Sequence, residues 1–141
     1  MRNPIIGTIA FVIVFGCTPE QSTVSEYQIE NGLDMPIVLR FYRNGLPSTE
    51  TTTVTLEGLG DTYEKSGETL GSNTTPFDVY GADSILVVFD GERIQGHNLF
   101  EPKGFSLLNQ QDYQNMGSSR FLYMIDQNNY DASVPCEDNC N

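Results

Sequence analysis

His97 is the only histidine in the chain, and serines and carboxylates are plentiful around it, so nucleophilic catalysis by a Ser–His–acid set is the first chemistry to test. No G-x-S-x-G turn precedes a helical pattern, and scattered residue types do not build a triad. The strand phase around "RIQGHNL" puts His97 opposite to Ile94, on the solvent side. Cys136 and Cys140 lie in "CEDNC", without a histidine beside them to complete a zinc set. "DQNNYD" (126–131) offers oxygen ligands but lacks the glycine and terminal glutamate spacing of a calcium loop. Carboxylates such as Glu26, Glu30, Asp83, Asp90 and Glu92 carry no feature that would set a pair across a cleft for glycoside hydrolysis. Asn73-Thr74-Thr75 formally matches a glycosylation sequon. The expectation is therefore no catalytic residue, no cofactor and no metal site.

The remaining reactive residue, Cys17, closes the stretch "FVIVFGC". A short head carrying Arg2 precedes an apolar run over 5–15, a length suited to a signal peptide and short of the ~20 residues that span a bilayer. "TPEQSTVSE" follows as a polar tether. Val14-Phe15-Gly16-Cys17 resembles the lipobox of bacterial lipoproteins, with Phe15 at a site that is usually small. The resemblance implies cleavage before Cys17, a diacylglyceryl group on its sulfur and acylation of the new amino terminus. Several acyl chains anchor stably where one binds marginally. An ordinary signal peptide and a buried strand containing a cysteine are the competing readings. The resemblance further implies the bacterial envelope. Thr18, with no aspartate retention signal at that position, favours the outer membrane, with its periplasmic or outer side left open.

The formal charge of -12 and the scattering of Arg40, Arg43, Lys65, Arg93, Lys103 and Arg120 leave no basic stripe to track phosphates. Nucleic acid is excluded as a partner, and so is electrostatic attachment to anionic lipid; a membrane contact must be covalent.

The elements available to position these residues read as strands. "SEYQIEN" alternates with Tyr27 and Ile29 on one face, and "MPIVLRFYR" aligns Ile37, Leu39 and Phe41. "TTTVTLE" follows, and the three together suggest an antiparallel meander. A ragged edge strand fits residues 62–65, with loop beyond. "FDVYG" alternates Phe77 and Val79 against Asp78 and Tyr80, whereas "SILVVFD" is apolar on both faces and predicts a central, covered strand. "DGER" signals a hairpin returning through "RIQGHNL", with Gly96 as a bulge candidate. A short helical turn fits 108–116, "SSRFLYMID" is a final strand, and Asp126 starts a short helix.

About seven strands of this kind predict an all-β, predominantly antiparallel two-sheet sandwich, with barrel closure as the alternative. The boundaries are a signal peptide over 1–16, a lipidated tether over 17–25, the sandwich over 26–133 and a tail over 134–141. Tyr27-Gln28-Ile29-Glu30-Asn31, Ile37-Val38-Leu39-Arg40-Phe41, "SILVVFDGERI" and "RFLYMIDQNNYDA" together resemble small lipoproteins of Bacteroidota. That resemblance implies an immunoglobulin-like or related sandwich and supplies no catalytic residue. Tyr42 and Tyr80, out of phase with their apolar neighbours, are the candidate binding-face residues. With Cys17 lipidated in an oxidising compartment, Cys136 and Cys140 become the natural disulfide pair, against free thiols or an intermolecular bridge. The function expected is a lipid-anchored, non-catalytic binding or accessory module for an envelope protein, peptide or saccharide. A structural envelope lipoprotein, an inhibitor of an extracellular enzyme and an envelope hydrolase are the alternatives.

Overall fold

The computed structural model describes residues 20–72, 74–101, 104–137 and 140; the signal peptide expected over 1–16 and the expected lipidation site Cys17 lie outside them. The described residues form nine strands, two short α-helices and a 3-10 turn (Gln110–Asp112): β1 (Ser22–Asn31), β2 (Ile37–Arg43), β3 (Thr49–Leu56), β4 (Thr62–Leu70), α1 (Pro76–Tyr80), β5 (Ser84–Phe89), β6 (Arg93–Asn98), β7 (Gln114–Gly117), β8 (Arg120–Ile125), α2 (Gln127–Ala132) and β9 (Val134–Pro135). They form two sheets, one of order β4-β1-β8-β7 and one of order β3-β2-β5-β6-β9. All pairings are antiparallel except β1 with β8. This is the expected all-β sandwich, with nine strands in place of about seven.

The core forms where the inward alternation of the sheets meets. Ile37, Leu39, Phe41, Val87, Phe89, Phe121 and Tyr123, the residues expected inside, are all buried. Tyr27 stacks on Phe121 with ring centroids 4.9 Å apart, and Tyr113 meets both Tyr27 and Tyr123 edge-on. Such edge and offset geometries suit the ring quadrupole. β5 is the middle strand of five, and Val88 on its outer side is as buried as Val87 on its inner side, which is why neither face alternates to polar.

Five local readings change, the first being that the helical turn expected over 108–116 narrows to Gln110–Asp112 while Gln114–Gly117 forms the edge strand β7. β1 does not join β2 in a meander but crosses to the other sheet. Buried Asn31 pins the crossing, donating 2.8 Å to the Met35 carbonyl and accepting 2.9 Å from the Leu33 N–H. Gly32 donates to the Ile125 carbonyl, and a Cβ there would lie 2.9 Å from that oxygen. Residues 66–70 continue β4 instead of forming loop, because the polar edge strand pairs with β1 over its whole length. Residues 77–80 are helical: Thr75 caps α1 in a reciprocal box with Asp78, Pro76 starts it, and Gly81 ends it at φ 66°. Gly96 sits in unbroken register opposite Leu86 and makes no bulge.

At the other end, Asp126 caps α2 as its sequence position requires. β9 pairs with β6, and Cys136 and Cys140 form a disulfide. Intact mass under non-reducing conditions is expected to show one pair of hydrogens fewer than after reduction, with no dimer. Alkylation of both thiols without prior reduction would contradict the bridge. Its short loop limits the chain-entropy contribution to about 2 kcal/mol, so Cys136→Ser should loosen the tail and leave the sandwich folded.

Candidate functional site: a polar cavity at one end of the sandwich

β6 breaks the rule followed by its neighbours. Directly opposite residues on paired strands point to the same side, and Phe89, Val87 and Ile85 of the core pair with Arg93, Gln95 and His97. The inward row of β6 is therefore polar, and three groups crossing over it supply partners. The Arg93 guanidinium donates 2.8 Å to the Ser133 hydroxyl and lies 5.2 Å from the centroid of the Tyr130 ring. Gln95 Oε1 accepts 3.2 Å from the Asn129 amide, and His97 Nδ1 accepts 3.4 Å from the Leu107 N–H.

His97 is thus not on the solvent side: the loop carrying Leu107 covers it, and only 3% of its surface is exposed. Accepting at Nδ1 fixes the neutral tautomer with its proton on Nε2. That N–H is buried without a partner among the described residues. Burial lowers the His97 pKa to about 4, against the opposing influence of Asp112. A neutral, enclosed imidazole of this kind is not poised as a general base near neutral pH.

Two structures wall a cavity of about 380 Å³ beside the polar row. On one side, Asp126 Oδ1 accepts from the N–H groups of Asn128 and Asn129 at 2.9 and 3.4 Å, while Asn129 Oδ1 accepts from the Asp126 N–H at 3.1 Å. The Asn129 amide also donates 3.0 Å to the Tyr123 hydroxyl, joining α2 to both sheets. On the other side, Asp112 Oδ2 gathers the loop by accepting from the Ser106 N–H at 2.8 Å and the Asn109 amide at 3.1 Å. Tyr113 donates 2.7 Å to the Leu107 carbonyl. Phe105 and Met124 line the same cavity with 70% and 50% of their surfaces exposed.

The Tyr123 pKa is raised by burial, with the Asn129 hydrogen bond opposing and Asp112 and Asp126 adding to the rise, so its hydroxyl stays protonated and available as a donor. No basic, cysteine or serine side chain of the described residues lines the cavity. The described residues also contain no group of three or more His, Cys, Asp and Glu side chains placed to hold a metal. The arrangement can hydrogen-bond and pack against a ligand.

Tyr42 and Tyr80, the candidate binding-face residues, are both buried, at 6% and 3% exposure. A register shift after Phe41 brings Glu50 opposite Tyr42, whose hydroxyl donates 3.2 Å to that carboxylate. The helical turn of α1 carries Tyr80 inward against Phe41, Tyr63 and Tyr27. Neither offers a surface to a ligand. The residues that do so, Gln95, Phe105, Asp112 and Tyr123, come from four separate segments. The one sequence signal for them is the polar row facing an apolar strand across the hairpin.

No protein-family model, no curated protein and no solved structure matches the chain.

Proposed function

We propose that the protein is a lipid-anchored component of the bacterial envelope, held at the outer membrane through Cys17, and that it is a non-catalytic binding module. The cavity between α2 and the 104–112 loop is its ligand site. The observation that carries this reading is the composition of that cavity: open hydrogen-bonding groups beside exposed Phe105 and Met124, with both carboxylates engaged in holding the walls. Ligand sites commonly combine apolar surface with a few placed polar groups in roughly 300–1,000 Å³, and this one is at the small end.

Two experiments test the two halves of the reading. Metabolic labelling with radioactive palmitate should mark the wild type and not Cys17→Ala; equal labelling would contradict the anchor. For the site, the full chain in detergent is labelled at its methionine methyl groups, with Met124 assigned through Met124→Leu. Neutral trisaccharides, trialanine and spermidine are then titrated as three ligand classes. A saturable shift of Met124 with one class is expected. Silence with all three would contradict a binding module at this cavity.

A further inference from the structure

The hydrogen-bonding groups left open in the cavity define the chemistry of its occupant more narrowly than its volume does. Gln95 uses its oxygen on Asn129, and its amide N–H groups carry no hydrogen bond among the described residues. The Tyr123 hydroxyl accepts from Asn129, and its own proton is likewise uncommitted. These are donors. The same cavity is also lined by acceptors, because Asp112 receives its two bonds on Oδ2 alone, leaving Oδ1, and Asn128 donates both from its backbone and from its amide to Asp126, leaving its side-chain oxygen. Next to this mixed set stands an exposed phenyl ring, Phe105, with the flexible thioether of Met124.

An amine presents only donors and would leave the Gln95 and Tyr123 donors without acceptors. A phosphate or carboxylate presents acceptors and charge, and would meet Asp112 and Asp126 with no cation of the described residues lining the cavity to offset them. A neutral sugar hydroxyl both donates and accepts, and the C–H face of a pyranose ring offers apolar surface to an aromatic side chain. We propose that the cavity binds a neutral oligosaccharide, one ring packing on Phe105 and its hydroxyls bridging Gln95 and Tyr123 to Asp112. This assignment rests on the binding-module reading and specifies its ligand class.

Isothermal titration calorimetry on the full chain, in a detergent without a sugar headgroup, tests it. The neutral probes are maltotriose, cellotriose, mannotriose and diacetylchitobiose; trigalacturonate and spermidine are the charged probes. At least one neutral probe should bind saturably. Phe105→Ala and Gln95→Ala should each weaken it about tenfold, as loss of one good contact implies, and Phe105→Tyr should retain it. Because Phe105 is largely exposed, its variants should keep the wild-type melting temperature, which separates lost binding from lost folding. Binding that ignores Phe105→Ala would overturn the proposal. Phe105-dependent binding of a charged probe alone would overturn the saccharide assignment and leave the binding module standing. Silence from all six probes would overturn the saccharide assignment, and the binding module would then stand or fall on the trialanine titration.

Discussion

Phe89→Ala is expected to lower unfolding free energy by about 3–5 kcal/mol, the range for emptying a large buried aromatic site. Phe89 lies on the central strand β5, is fully buried, and meets the Tyr130 ring of α2 edge-on with centroids 5.5 Å apart. The substitution therefore removes core volume and the apolar seat of the helix that walls the cavity. Chemical denaturation of wild type and variant measures the difference. A change below about 1 kcal/mol would mean that the site collapses without loss or that Phe89 is not packed as described.

The second large effect is acid sensitivity carried by His97. Its folded-state pKa, about 4, lies below the ordinary histidine value of 6.5, so the unfolded chain takes up this proton first as pH falls. The stability conferred by keeping the ring neutral is fully present above pH 6.5. It declines between 6.5 and 4, and is gone below the folded value. The span corresponds to about 3 kcal/mol. His97→Asn keeps an acceptor for the Leu107 N–H and removes the titration. The stability gap between wild type and this variant should move against the wild type by about that amount between pH 7 and 4. Comparing the two proteins cancels the carboxylates that titrate in the same range. Parallel pH profiles would show that His97 is not held neutral by burial.

The strands with an apolar inner row were legible in the sequence because burial and period agree there: Ile37-Leu39-Phe41 of β2, Ile85-Val87-Phe89 of β5 and Phe121-Tyr123-Ile125 of β8 all face the core. β4 was not, since its inward row includes Lys65, Gly67 and Thr69, and an edge strand needs few apolar contacts. α1 was hidden by its length. Five residues cannot separate a period of two from one of 3.6, and the cap residues Thr75, Asp78 and Gly81 were the better guide. The partner of β1 was beyond reach, because alternation says which face is buried and not which strand lies beside it. The cavity was illegible for a related reason. Gln95 and His97 look like a solvent face until Asn129 of α2 and the loop carrying Leu107 cover them, and such placement has no periodicity to read.

The central claim is that this covered polar row opens onto a saccharide site. Intermolecular nuclear Overhauser effects between the tightest-binding neutral oligosaccharide and the protein test it most directly. The account predicts contacts from the pyranose C–H protons to the Phe105 ring and the Met124 methyl group, with none to Tyr42 or Tyr80. Contacts confined to another surface of the sandwich, or none under saturating ligand, would contradict it.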